Sequence, residues 1–115
     1  MTYVRMTTLQ ADPSKVEEGL RFGREQAQAT MREQPGFEGM QLLVDRTSGK
    51  VVSVNQWASE AAAQAADRAL SQTRAQAAQL TGAPATTTEL FELAVNESAS
   101  LTTASRARAA LLTKQ

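Results

Sequence analysis

Residues 35–60 read PGFEGMQLLVDRTSGKVVSVNQWASE, and this stretch decides the fold. Two runs rich in valine, leucine and aromatic residues flank residues 46–49, a pattern that predicts a β-hairpin with Gly49 at a positive φ. Pro35-Gly36 ends a preceding helical pattern, and Ser59 is placed to cap a following helix. One helix therefore enters the hairpin and another leaves it, as in the middle of a β-α-β-β-α-β fold.

The flanking segments supply the remaining elements of this fold. A first strand is predicted over residues 3–9, and a fourth strand over residues 86–95. The first helix is predicted over residues 14–33, with an apolar stripe at Val16, Leu20, Gly23, Ala27 and Met31. Its start has two registers, a Ser14–Glu17 capping box or an Asp12 cap ahead of Pro13.

The second helix is predicted over the alanine-rich residues 59–80, with a break near Ser71 and a stop at Gly82 and Pro84. The elements together predict an α+β, ferredoxin-like fold with an antiparallel four-stranded sheet. We expect it to occupy residues 1–96. We expect residues 97–115 to form a C-terminal extension with a helix-compatible stretch at Ser105–Lys114. The sequence leaves two alternatives for this extension: it packs across a partner subunit, or it is a mobile tail.

The hairpin strands carry large apolar side chains on both faces. The second strand alternates Phe37, Gln41 and Leu43 against Met40, Leu42 and Val44, and the third alternates Val51, Ser53, Asn55 and Trp57 against Val52, Val54 and Gln56. Such a pattern indicates that both sheet faces are covered. Two helices cover only one face of four strands. We therefore expect a second copy of the chain on the other face, which makes the protein a homodimer.

Composition excludes several classes of function for this single 115-residue domain. The 12 basic and 12 acidic residues balance, so nothing favours a nucleic-acid or anionic-membrane partner. The chain contains no Cys and no His, which removes thiol chemistry, the commonest general base and the usual metal and haem ligands. We expect neither a metal site nor a cofactor. Short apolar runs and a start without signal-peptide features predict a cytoplasmic protein.

Pro-Gly-Phe at the start of the second strand and Trp-x-Ser-Glu at the end of the third resemble the antibiotic biosynthesis monooxygenase (ABM) family. The resemblance covers about residues 3–95 and implies a dimeric α/β barrel. In the branch that oxidises anthrones with molecular oxygen and no cofactor, it implies a site of Asn, Trp and Arg. Trp57 matches the family Trp, and Arg74 is the best match for the Arg. Ser53 stands at the family's Asn position, while Asn55 lies two residues nearer on the same strand face.

The predicted catalytic residues are therefore Asn55, Trp57 and Arg74. Predicted substrate-binding residues are Ser53, Tyr3, Arg5, Phe37 and Met40. An Asn or Ser donor would bind an oxyanion, an Arg would offset its charge, and Trp57 would stack on an aromatic ring. A general base would be Tyr3, Glu89 or Glu92, unless the substrate's own acidity suffices.

Structural roles compete with each of these assignments. Trp57 at the end of a central strand is also typical of a core plug between sheet and helix. Asn55 and Ser53 can satisfy neighbouring backbone, and Arg74 can be a solvated surface residue.

The function predicted on this basis is a cofactor-independent monooxygenase that oxidises a small aromatic or quinol-type substrate with molecular oxygen. The haem-degrading branch of the same superfamily binds iron through a His, which this chain lacks. The remaining alternative is a non-enzymatic dimer of the same fold that binds a metabolite or acts as a stress-associated protein.

Overall fold

The computed structural model describes residues 1–83 and 86–97. Its strands are β1 (Tyr3–Gln10), β2 (Phe37–Asp45), β3 (Lys50–Trp57) and β4 (Thr86–Glu92). Its helices are α1 (Val16–Phe22) and α2 (Gln28–Arg32), joined by a π-helical segment (Gly23–Ala27), then α3 (Glu60–Ala69) and α4 (Ser71–Thr81). The four strands pair antiparallel in the order β2-β3-β1-β4. This is the predicted α+β, ferredoxin-like sheet. Pro84 and the predicted stretch 105–114 lie outside the described residues.

The hairpin turn consists of the four predicted residues, because β2 ends at Asp45 and β3 begins at Lys50. The N–H groups of Ser48 and Thr47 donate to the Asp45 carboxylate at 3.3 and 3.0 Å, and these bonds hold the pKa of Asp45 below its ordinary value. Gly49 has φ +82°, and its carbonyl accepts from the N–H of Ala11 at 2.9 Å. A Cβ at Gly49 would overlap the Ala11 carbonyl oxygen. Both the positive φ and this close approach therefore require glycine in the turn.

The start of β2 differs from the prediction. The register is irregular between Phe37 and Gly39, which marks a β-bulge. The bulge turns Phe37 to the helix-covered face, opposite Trp57, so its predicted grouping with Gln41 and Leu43 was wrong. A strict alternation of faces cannot anticipate one extra residue in the strand. The Phe37 and Trp57 rings meet edge to face, with centroids 5.6 Å apart and planes at 70°.

The first helical region begins in the Asp12 register, because the Asp12 side chain accepts from the N–H of Ser14 at 2.9 Å. The predicted apolar stripe faces inward, with Ala27 half-buried and the other four members buried. The π-helical segment in its middle was not predicted. Gly23 in this segment lies so close to Leu42 that a Cβ would overlap the leucine side chain.

The second helical region follows the prediction. Ser59 accepts the N–H of Ala62 at 3.0 Å and so caps α3. The helix breaks at Leu70, next to the predicted Ser71, and Gly82 ends α4 with φ +71°. Ala63 and Ala66 are buried, and their small side chains let α3 approach the sheet closely.

All helices pack on one face of the sheet. The described residues leave the other face open, and six apolar side chains line it: Val4, Met6, Leu43, Val52, Val54 and Phe91. Leu43 is 52% exposed and Phe91 is 45% exposed. The strand β4 ends at Glu92, short of the predicted residue 95, although the Leu93 N–H still donates to the Thr2 carbonyl oxygen at 2.9 Å.

Replacing Gly49 by Ala tests the turn. We expect Gly49→Ala to lower the free energy of unfolding by about 2 kcal/mol or more, because it adds both a strained φ and a clash with backbone. Thr47→Ala, in the same turn but exposed, should change it by less than about 0.5 kcal/mol. Urea denaturation followed by circular dichroism measures both. Equal midpoints and slopes for the two variants would contradict this geometry of the turn.

Candidate functional site

A cavity lies between the helix-covered face of the sheet and the helices. The volume of this cavity is about 90 Å3. Its wall is largely apolar and includes Phe22, Met31, Met40, Leu42 and Leu70. A second, more open depression beside the π-helical segment shares Gly23, Met40 and Leu42 with it. The cavity is therefore bordered by the sheet on one side and by the irregular part of the first helical region on another.

Most of the predicted site residues line this cavity. They are Arg5, Met40, Ser53, Asn55, Trp57 and Arg74. Tyr3 and Phe37 do not line it and instead pack against the buried cluster around Trp57. Six of the eight predicted site residues therefore line the cavity, and two do not.

Trp57 takes part both in the core and in the cavity. Its side chain is fully buried, and it packs with Met31, Ala63, Ala66 and Leu70. The same side chain lines the cavity, and its indole N–H has no hydrogen-bond partner among the described residues. The two roles proposed for it from the sequence are therefore compatible.

Arg5 is a buried cation on the central strand β1, only 9% exposed. It lies directly opposite Asn55 in the β1–β3 register. Its Nη2 donates to the carbonyl oxygen of Ala63 at 3.2 Å, and its Nη1 lies 3.3 Å from Oδ1 of Asp67. Its Nε is buried without a partner. Two of the three guanidinium nitrogens are therefore held by α3, and the third is not.

Asp67 joins two arginines. Nη2 of Arg74 lies 3.0 Å from the Oδ1 that also contacts Arg5, and it donates to the Asp67 carbonyl oxygen at 3.1 Å. The interpretation of Arg74 as a solvated surface residue was therefore wrong, since its side chain is 22% exposed and ion-paired. Sequence reasoning missed Asp67. The signal was present: Asp67 is four residues after Ala63 and three before Leu70, on the buried stripe of α3.

Ser53 and Asn55 form a hydrogen-bonded pair on β3. The Ser53 hydroxyl donates to Oδ1 of Asn55 at 2.9 Å. Because the carbonyl oxygen of the buried amide is engaged, its NH2 group is the part that can donate to a bound molecule. The pair thus presents a donor to the cavity next to Trp57.

The candidate bases named from the sequence lie away from this cavity. Glu89 is exposed on the open sheet face opposite Met6, and Glu92 is exposed at the strand end opposite Tyr3. Desolvation raises the pKa of Tyr3, and the charges of Glu60 and Glu92 raise it further. A phenol whose pKa is raised is a poor base at neutral pH. Among the described residues, Asp67 is the carboxylate that lines the cavity.

Two further searches bear on the class of protein. In residues 1–83 and 86–97, no three His, Cys, Asp or Glu side chains are grouped so that they could hold a metal ion. Within the same ranges no helix has the length and apolar character needed to cross a membrane. The fold and the cavity define a small ferredoxin-like α+β protein with a buried, mostly apolar cavity that has a polar floor.

Comparison with known proteins identifies the family. The model of the family "Antibiotic biosynthesis monooxygenase" matches residues 2–80. The chain belongs to the antibiotic biosynthesis monooxygenase family. It is 35% identical over 57 residues to uncharacterised proteins from two strains of Mycobacterium tuberculosis, CDC 1551 / Oshkosh and H37Rv. That match covers 50% of this chain and 24% of theirs, so the chain spans about a quarter of the length of these curated relatives.

Solved structures share the fold. A monooxygenase from the gene ActVA-Orf6 of Streptomyces coelicolor, in complex with nanaomycin D, has a TM-score of 0.70 and 22% identity, covering 85% of this chain and 92% of that one. SnoaB, a cofactor-independent oxygenase from Streptomyces nogalater, has a TM-score of 0.52 and 24% identity, covering 83% and 93%. At these identities the likeness shows the fold.

The raised pKa of Tyr3 can be measured directly, because the chain has one Tyr. We expect the tyrosinate absorbance to titrate with a midpoint above 10.0, and Glu60→Gln to lower that midpoint. Folding favours the protonated phenol, so this contribution to stability is lost as the pH rises above 10.0. Glu18→Gln, an exposed carboxylate on α1, is the control. A wild-type midpoint at or below 10.0 would contradict the environment described for Tyr3.

Proposed function

We propose that the protein is a cofactor-independent monooxygenase that oxidises a small aromatic or quinol-type compound with molecular oxygen in the cavity beside Trp57. The observation that carries this proposal is the placement of Trp57, Asn55 and Arg5 on one face of adjacent strands, within an apolar wall. Membership of the monooxygenase family supports it, as does the likeness of fold to oxygenases. The family also has non-enzymatic members, so activity requires its own test.

This reaction requires the protein to bind the substrate and to stabilise the negative charge that forms on it. An electron-rich anthrone or hydroquinone loses a proton, and the resulting carbanion or phenolate reduces oxygen directly. For an anthrone the balance is one CH2 group and one O2 consumed, and one C=O group and one H2O formed. The protein need only exclude water, orient the ring and stabilise the anion that precedes oxygen attack.

Each polar residue has a defined part in this scheme. The Asn55 NH2 group donates to the developing oxyanion, and the Arg5 guanidinium offsets its charge. Asp67 holds both arginines through one oxygen and acts as a positioning residue. The proton leaves through the acidity of the substrate itself, which a nearby buried cation increases.

Oxygen uptake measured with anthrones and hydroquinones tests this function. We expect Asn55→Ala to lower kcat by about 100-fold with a smaller effect on substrate binding, because the lost hydrogen bond strengthens as charge develops. Trp57→Phe should keep the fold and weaken aromatic binding. Gln64→Ala, an exposed amide on α3, is the matched control and should leave both parameters unchanged.

Absence of uptake with every anthrone and hydroquinone would overturn the enzyme proposal. If the protein still bound those compounds, the non-enzymatic metabolite-binding alternative would replace it. A Trp57→Phe variant that melts at a lower temperature but binds unchanged would restrict Trp57 to the core.

We further propose that the open sheet face is buried against a second copy of the chain, so that two sheets form a barrel. Members of the family are typically dimeric. In addition, six apolar side chains on this face, with Leu43 and Phe91 about half exposed, form a surface whose burial stabilises association at about 25 cal/mol per Å2.

Light scattering after size exclusion tests the assembly. We expect twice the chain mass of 12.3 kDa at micromolar concentration. Phe91→Lys should give monomers, because it places a charge in the proposed interface. Leu80→Lys changes an exposed leucine on α4, away from that face, and should leave the mass unchanged. A wild-type monomer would refute the dimer.

A further inference from the structure

We propose that Leu42 determines which molecules reach the cavity, because its side chain closes the passage between the cavity and the outer depression at the edge of the sheet. The outer depression is the one beside the π-helical segment, and it is lined by Gly23, Arg24, Gln28, Met40 and Leu42. The inference rests on the proposed function only in taking the cavity as the ligand site, and it holds whether or not oxidation follows.

Leu42 borders both spaces. Together with Gly23 and Met40 it belongs to the wall of the cavity and to the wall of the outer depression. Leu42 is half-buried and lies on β2, which is an edge strand of the sheet. Because no further strand pairs with the outer side of β2 in the described part of the chain, side chains separate the cavity from the depression at this edge.

The contact that closes the passage joins Leu42 and Gly23. A Cβ on Gly23 would lie 2.6 Å from Cδ1 of Leu42, so the end of the leucine side chain occupies the space that a side chain at position 23 would fill. Rotation about the side-chain bonds of a leucine moves its terminal methyl groups without disturbing the backbone. The passage therefore opens by movement of one side chain and requires no change in the sheet or the helices.

A second part of the cavity wall also reaches solvent, and ionic contacts hold it closed. Asp67 and Arg74 line the cavity with side chains that are 37% and 22% exposed. Nη2 of Arg74 lies 3.0 Å from Oδ1 of Asp67, and the same oxygen contacts Arg5. Entry there requires ion pairs to separate, whereas entry past Leu42 breaks only apolar contacts. An uncharged aromatic compound therefore enters past Leu42.

The passage favours apolar rings that carry a small polar group. Leu42 and Met40 offer it an apolar surface, whereas Arg24 is exposed and Gln28 half-buried on the side of the outer depression. A ring lies against Leu42 and Met40 as it enters, while its polar group stays beside Gln28 or Arg24. A strongly hydrated ion would lose its hydration in the apolar passage without compensation.

Quenching of Trp57 fluorescence by acrylamide tests this inference without any assumed substrate. The chain has one Trp, which is fully buried and lines the cavity, so a quencher has to reach the cavity to contact it. We expect Leu42→Ala to raise the acrylamide quenching constant by about threefold or more, because the lost side chain leaves the passage open. Leu42→Met keeps the side-chain volume and should stay within about 1.5-fold of the wild type.

Leu9→Ala is the matched control. Leu9 is buried and lines the cavity from the central strand β1, away from the edge strand. Its replacement should change the acrylamide constant by less than about 1.5-fold. Quenching by molecular oxygen, a much smaller molecule, reports general loosening, and Leu42→Ala should raise it by less than about twofold. If Leu42→Ala fails to fold, Leu42→Val and Leu9→Val carry the same comparison.

An acrylamide constant that is unchanged in folded Leu42→Ala, or raised as much in Leu9→Ala, would overturn the inference. An equal or larger increase in Arg74→Met would also overturn it, because entry would then pass between Arg74 and Asp67. An increase specific to Leu42, without oxygen uptake from any anthrone or hydroquinone, would leave the inference standing while the proposed oxygenase fails. Oxygen uptake by a protein whose acrylamide constant does not respond to Leu42→Ala would have the reverse meaning.

Discussion

The burial of the Arg5 guanidinium is the constraint on which the site depends. A cation that is 9% exposed needs hydrogen-bond partners at close range, and α3 supplies two: the Ala63 carbonyl and the Asp67 carboxylate. Both contacts require the helix backbone to lie near the strand. The buried Ala63 and Ala66 make that approach possible, because larger side chains would hold the helix away. The small alanine side chains of α3 thus allow the close approach that the contacts of the buried arginine on β1 require.

The cavity exists because the part of its wall opposite α3 carries small side chains that leave space next to the sheet. Opposite α3, the π-helical segment brings Gly23 and Ala27 to the cavity, where neither fills space with a large side chain. Such segments occur frequently at functional sites. The result is an apolar wall above a floor of donors: Arg5, Asn55 and Trp57. In the proposed reaction these donors need little reorganisation when negative charge forms on the substrate, because strand pairing and α3 fix them.

The sequence predicted most of the fold because its local signals agree with one another. The hairpin turn, the Ser59 cap and the stop at Gly82 each follow from one residue with a specific backbone role. The sequence failed where one residue is added to a regular element: the β-bulge that turns Phe37 inward and the π-helical segment in the first helical region. Periodicity assumes a constant residue count per turn or per pair, so it cannot locate either irregularity. It also missed Asp67, whose partners come from β1 and α4 and are distant along the chain.

The central claim is that a small aromatic or quinol-type compound binds in the cavity beside Trp57. The chain has one Trp, so its 1H–15N spectrum contains one indole cross-peak, which reports on that atom alone. Titration with a hydroquinone should shift this cross-peak, because an aromatic ring bound beside Trp57 changes the magnetic environment of the indole proton. A cross-peak that stays in place while backbone signals elsewhere shift would show that the ligand binds at another surface, and it would contradict the claim.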